Sequence, residues 1–299
     1  TSNRKSENIV VNNCILSSHC NAIKCGTESS GGFKNIVISN CIIRPSEQRT
    51  TIYGFPDGIS GITLGMVDGG VLDGININNI IIDGPRVPLF LRLGNRARPY
   101  RADQGEIPVG SYKNVNISNI TARGADTTGC SISGIPGHPV ENISLSNIRI
   151  SFKGGRRDKN YSMLVPELET HYPESTMFGS LPASAFYIRH AKNIDLDQIH
   201  LYYDNPDTRA ALVCDDVENL RLQRTSVCSN SQPDYLFRLI NCTNATVSEC
   251  ANNSVMDALV RLDGAGSEGV RVYNNHGKFA SEMALGEDVD KNAVQGKEK

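Results

Sequence analysis

One short phrase recurs along the chain and constrains its fold more than any other feature. It reads Asn or Gly, apolar, any, apolar, any, usually Asn, then a small or apolar residue. Its first positions are Asn8, Asn35, Gly74, Asn114, Asn142, Asn193, Asn219, Asn244 and Gly269, at intervals of 27, 39, 40, 28, 51, 26, 25 and 25 residues. The positions one and three after each start are apolar in every copy, as in Ile9 and Val11 or Ile143 and Leu145, and the position between them is mostly polar. Period two marks a strand with one buried face. A unit of about 25 residues repeated without helices cannot bury its apolar face alone; it must stack on its neighbours.

Most units carry a second short apolar run before the next phrase, such as Asn21 to Gly26, Leu89 to Gly94, Cys130 to Gly134, Ala185 to Arg189 and Tyr235 to Ile240. No segment has a helical apolar stripe. The pattern predicts an all-β chain wound as a right-handed, single-stranded parallel β-helix of about nine coils. It would span residues 1–285, with a charged tail over 286–299. Asn13, Asn40, Asn79, Asn119, Asn147 and Asn274, five positions after the start, are expected at one corner, because Asn tolerates left-handed backbone and can bond to the Asn of the next coil. Six positions after the start, Cys14, Cys41 and Cys250 share a column otherwise filled mainly by Ile. With nine cysteines and no C-x-x-C, they read as core thiols and not as a disulfide framework or zinc site.

Thirty Lys and Arg stand against 32 Asp and Glu, a net charge of −2, so no global field exists to hold nucleic acid. No run of eighteen apolar residues offers a membrane span. The sequence calls for no cofactor and no metal.

The chemistry is expected in the insertions, which in solenoids gather on one face. They lie near 44–57, 92–108 and 153–183. The second holds Arg92, Arg96, Arg98 and Arg101 within ten residues, with Tyr100 among them. Guanidinium groups grip carboxylates in bidentate fashion, so Arg92, Arg96 and Arg98 are candidate binders of an acidic sugar; the alternative is a solvated loop with its own ion pairs. The third, with His171-Tyr-Pro-Glu174, is long enough to wall a groove. Asp215-Asp216 and His138 read as turn residues.

The stretch from His19 through Lys24-Cys-Gly-Thr-Glu28-Ser-Ser-Gly-Gly-Phe-Lys-Asn-Ile to Cys41 resembles the coil of the polygalacturonase family, glycoside hydrolase family 28, that carries its Gly-His-Gly motif. Tyr53-Gly-Phe-Pro-Asp-Gly-Ile-Ser-Gly61, Leu91-Arg-Leu-Gly-Asn-Arg96 and Met177-Phe-Gly-Ser-Leu-Pro182 resemble its bacterial pectin-degrading branch. The resemblance implies an inverting glycoside hydrolase, secreted or periplasmic, whose partner is galacturonate-containing polysaccharide or oligosaccharide. The family's catalytic aspartates lie in Asn-Thr-Asp and Asp-Asp motifs preceding this coil, so here they are expected upstream of Thr1. His19 is the one catalytic position carried over, its alternative being a corner histidine. The family's Arg-Ile-Lys motif should follow near Gly58 to Leu64, where neither Arg nor Lys stands, which leaves Lys24, Arg92 and Arg96 to bind substrate. Two other classes remain open: a non-catalytic β-helix that binds acidic polysaccharide, and, ranked last for want of an acidic calcium cluster in the first coils, a lyase.

Overall fold

A computed structural model describes residues 3–46, 53–157, 164–229 and 233–295. The chain is all-β, and its strands join laterally into one large parallel sheet, consistent with a β-helix. Each repeat contributes up to three strand segments, which form three flanks.

The first flank follows the repeat. Ser6–Asn12 pairs with Phe33–Arg44, that with Val71–Asp83, and the series continues through Ser111–Ala125, Val140–Gly154, Ala183–Asn205 and Ala210–Gln223 to Thr246–Ser248 and Arg271–Tyr273. The register is the one the phrase predicts: Ile9, Ile36, Ile75, Val115, Ile143, Ile194 and Leu220 stand side by side. All are buried except Ile9, at 38 % exposure on the end rung. A one-residue slip would turn every one of these side chains outward, so the apolar alternation fixes the pairing.

Corners follow the same arithmetic. The start residues and the residues five positions on all have positive φ, from Asn8 and Asn13 to Asn244 and Asn274. Carboxamides bridge successive levels, as in Asn142 Nδ2 to Asn114 Oδ1 (2.9 Å) and Asn147 Nδ2 to Asn119 Oδ1 (2.6 Å). Gly74 and Gly269 fill the same column at φ +76° and +68°, which any side chain but Asn or Asp meets with strain.

One position before each start, the register aligns Glu7, Lys34, Asp73, Lys113, Glu141, Lys192 and Glu218, alternating in sign at every step. Each exposed pair contributes little. Together they penalise any pairing that skips a level, since like charges would then meet.

Beyond the second corner comes the cysteine column: Cys41 beside Ile80, Ile120, Ile148 and Ile199. Burial pushes the Cys130, Cys242 and Cys250 thiols up to about 12, so they are inert apolar filler. All nine cysteines are free, and Cys228 is exposed.

The third flank stacks Asn21–Cys25, Ser60–Met66, Val87–Leu93, Cys130–Ser133, the first halves of Ala183–Asn205 and Ala210–Gln223, then Tyr235–Ile240 and Ala251–Asp263. Ser60–Met66, which is not among the apolar runs read from the sequence, sends Ile62, Leu64 and Met66 into the core, and its other face is buried as well. Residues 286–295, whose composition reads as part of a charged tail, instead pack on the last level. Val289 and Ala293 are buried, Val294 bridges to Val270, and Lys291–Ala293 forms a 3-10 turn. Residues 296–299 lie outside the described residues. Among the described residues no helix is long and apolar enough to cross a membrane.

Candidate functional site

The outer side of the third flank is where the insertions meet. One outward column runs Lys24, Thr63, Phe90, Ser131, Tyr187, Val213, Arg238 and Arg261. Residues 164–182 of the third insertion pass across it as a strap.

Over the middle levels the strap is a roof. Val165, Phe178 and Leu181 close on Val87, Phe90, Tyr187 and Val213 in a second apolar cluster, separate from the main core. Arg92 anchors it. Its guanidinium donates to Gly134 O (2.7 Å), Glu167 O (2.6 Å) and Ser133 Oγ (3.3 Å), and the Phe178 ring lies 5.3 Å away. Only 2 % of Arg92 is exposed, and burial lowers its guanidinium pKa to about 10, still a cation at neutral pH. Arg92, expected to bind substrate, therefore ties the strap to the sheet. Arg189 does the same from the next levels, donating to Val165 O (2.7 Å) and pairing with Glu167 Oε1 (2.5 Å).

At the first levels the strap's tip builds a polar cluster. Tyr172 and Glu174 come down beside residues that are roughly 120 to 150 positions earlier in the chain. Glu174, 5 % exposed, accepts on Oε2 from Tyr53 OH (2.6 Å) and Asn21 Nδ2 (3.2 Å), with Lys24 Nζ at 3.8 Å; its Oε1 is buried without a hydrogen-bond partner. Burial, and after it the Glu174 carboxylate, pushes the Tyr53 hydroxyl well above its usual range. Lys24 Nζ also reaches Tyr172 OH (3.3 Å) and lies 4.9 Å from the ring centroid. Ser60 and Ser175 hydroxyls meet at 2.8 Å, and Thr63 Oγ1 donates to Asn21 Oδ1 (2.9 Å).

The arginine loop borders this cluster. Asp68, buried at the turn after Ser60–Met66, accepts from Arg96 Nε (3.0 Å) and Nη2 (2.5 Å) and from the Arg98 amide (3.0 Å), which pins the loop. Arg98's guanidinium is left 65 % exposed, 3.6 Å from Glu28. Arg101 pairs with Asp103 (3.0 Å) and lies over Tyr100. Three predicted residues, Lys24, Arg96 and Arg98, are thus gathered at one end of the third flank, and their loop has its own ion pairs, as the solvated-loop alternative expects.

No family model matches the chain, and no curated protein matches it.

His19 sits at the corner leading into Asn21–Cys25. Its carbonyl accepts from the Phe55 amide (2.8 Å), and its ring lies against Gly54, where an added Cβ would come within 2.9 Å of Cδ2. No contact brings the imidazole to Glu174. Of the first insertion, residues 47–52 lie outside the described residues. Asp57 pairs with Arg86 (3.4 Å), whose guanidinium stacks 3.5 Å from the Phe55 centroid. His138 closes a turn with Ile135. Asp216 occupies a corner at φ +57° and bonds His190 Nδ1 (2.6 Å). Asp215 is on the flank instead. Its carboxylate lies 3.3 Å from Arg189 Nε, close enough for an ion pair but not aligned as a hydrogen bond, and burial raises its pKa despite that arginine.

Glu174, Tyr172 and Tyr53 form the part of the site that the sequence reading did not single out. The phrase His171-Tyr-Pro-Glu174 is visible in the third insertion, but nothing local says that it returns to the first levels. Chemically the cluster combines half-exposed aromatic rings, a lysine and an exposed guanidinium, which suits a sugar bearing a carboxylate.

Proposed function

We propose that this chain binds acidic polysaccharide of the galacturonan type at the first levels of the third flank. In this reading it is a right-handed β-helix of about nine coils on the polygalacturonase plan, working outside the cytoplasm where such polymers are found. The observation that carries it is the meeting of Lys24, Tyr53, Tyr172 and Glu174, with Arg98 left exposed on the loop whose Asn95 amide donates to Glu169 O of the strap (2.7 Å). Tyr172, 51 % exposed, offers a ring to a pyranose face, and Arg98 offers a fork to its carboxylate. The net charge of −2 leaves attraction of an anion to such a local patch.

Hydrolysis with inversion requires one carboxyl as acid and another as base, about 6.5–9.5 Å apart with water between. No Asn-Thr-Asp occurs in these 299 residues, and the one Asp-Asp pair, Asp215-Asp216, is already held by Arg189 and His190. A specific observation favours the second reading, a non-catalytic binder: the carboxylates bordering the site are already engaged, Glu174 by Tyr53 and Asn21, Asp68 by Arg96, and Asp57 by Arg86.

One experiment serves both readings. The purified chain is titrated calorimetrically with galacturonate oligomers at two salt concentrations, and reducing-sugar release from polygalacturonate is followed in parallel. Salt-sensitive binding that weakens about ten-fold in Arg98→Ala is expected, with sugar release at background. Absence of binding at either salt contradicts the proposal. Robust release would place the acid and base within this chain, with Glu174 and Asp57 the first to substitute.

A further inference from the structure

A groove of about 510 Å³ lies on the outer side of the first flank, away from the strap. It crosses four successive levels, lined at each by the start residue of the repeat: Asn142, Asn193, Asn219 and Asn244. The ladder uses only part of each carboxamide. Asn193 Nδ2 donates to Asn142 Oδ1 (2.8 Å), and Asn219 Nδ2 donates to Asn193 Oδ1 (2.8 Å). A carboxamide has two N–H donors and two acceptor lone pairs, so each inner rung keeps one of each for another partner. Beside the rungs, Ser144 and Thr246 add hydroxyls.

The ionised groups along this groove are paired with one another. Asp195 and Arg221, which stand between Ser144 and Thr246 in the register, meet at 3.3 Å, and Lys192 meets Glu218 at 2.9 Å. What remains is a neutral row of donors and acceptors repeating at the strand spacing, about 4.8 Å. A pyranose ring with its linkage advances by a distance of the same order, and each ring presents hydroxyls that both donate and accept.

We propose that this groove binds an extended, uncharged polysaccharide strand lying along the stack of levels, with one Asn rung per sugar. It is a site distinct from the acidic-sugar site and on a different flank, so one protein would hold a neutral glycan and an acidic one at once. Recognition depends on amides left unused by the ladder, and the groove's length across four levels, one rung per sugar, sets its reach at about four sugars.

The corner itself suggests the variant. Gly74 and Gly269 occupy the same column with the same left-handed backbone, so Asn193→Gly combined with Asn219→Gly removes two amides while keeping a corner residue that the fold already uses. Cellohexaose is the neutral probe and trigalacturonate the acidic one, both followed by titration calorimetry on the full chain. We expect cellohexaose to bind the unaltered chain, to bind the double variant at least ten-fold more weakly, and to bind Arg98→Ala normally. Ser144→Tyr, which fills the groove and leaves every amide in place, should weaken cellohexaose to the same degree. No binding of cellohexaose to the unaltered chain would overturn the proposal, as would unchanged affinity in both groove variants. Loss of cellohexaose binding in Arg98→Ala, or its displacement by trigalacturonate, would collapse the two sites into one. A chain that binds cellohexaose but not trigalacturonate would keep this groove and reject the acidic-polysaccharide reading.

Discussion

The outward column of the third flank passes through two regions that share a backbone and differ in what covers them. At Lys24 and Thr63 the strap's tip makes polar contacts and leaves Tyr172 half exposed; at Phe90, Tyr187 and Val213 the same strap lies on an apolar floor and buries it. Geometry does not distinguish them, because the strands are in one continuous register. Side-chain type at a single position per level does. An apolar outward residue recruits the insertion as a roof through burial, worth about 25 cal/mol per Å². A lysine or threonine there is met by polar groups of the strap's tip instead: Thr63 and Glu174 are buried, while Lys24 stays partly and Tyr172 half exposed to a ligand.

The sharpest way to break the comparison is to hollow out the floor. Phe90→Ala removes a fully buried ring from between sheet and strap and should cost about 3–5 kcal/mol. Urea unfolding would read the loss, together with faster proteolysis within 164–182. Lys24→Ala, in the same column, should cost no more than about 2 kcal/mol, since Glu174 keeps its hydrogen bonds from Tyr53 and Asn21. Equal losses from the two would mean that the roof and the open end are not energetically different.

The arginines sharpen the contrast next. Arg92→Met should lower stability by about 1–3 kcal/mol, because Gly134 O and Glu167 O lose their donor, yet leave oligogalacturonate affinity within about two-fold. Arg98→Ala should do the reverse: stability changed by no more than about 0.5 kcal/mol and affinity down about ten-fold. Calorimetric titration and denaturant midpoints on the same two preparations decide it.

These two arginines also show where the sequence stops speaking. Both belong to one cluster of four arginines; the run Leu89 to Gly94 already places Arg92 in a strand, but nothing local says that this strand lies under the strap while Arg98 points to solvent. The repeat itself was legible to the residue: the apolar column from Ile9 to Leu220 and the Asn corners follow from period two and a 25-residue unit. So was the alternating-charge column from Glu7 to Glu218, although a reading aimed at apolar positions passes over it. Ser60–Met66 is harder to read: Ile62, Leu64 and Met66 alternate, but glycines stand at 61 and 65, and Ser60 owes its burial to Ser175, far along the chain. Glu174 was out of reach for another reason: its partners Asn21, Lys24 and Tyr53 are joined to it by the path of a long insertion, and no local pattern encodes that path.

A smaller effect should appear with pH under the later levels of the strap. Burial raises the Asp215 pKa above its usual value of 3.8. In a window opening at that value, the unfolded chain releases this proton first while the folded chain retains it. Stability therefore falls as pH rises through the folded-state pKa, and is flat above it. Asp215→Asn removes that contribution, so its stability relative to the parent should improve as pH climbs from 3.5 to 7, with Glu167 still holding Arg189. A difference that is independent of pH would show that Asp215 ionises as freely in the fold as outside it.

The most direct test of the open end as the binding region is hydrogen–deuterium exchange of the chain with and without trigalacturonate. Amides of 21–24 and 171–175 are expected to gain protection on adding the sugar, while those of 164–169 and 177–182, already under the roof, stay unchanged. Protection confined to the roofed segments, or none at Lys24 and Tyr172, would contradict the account.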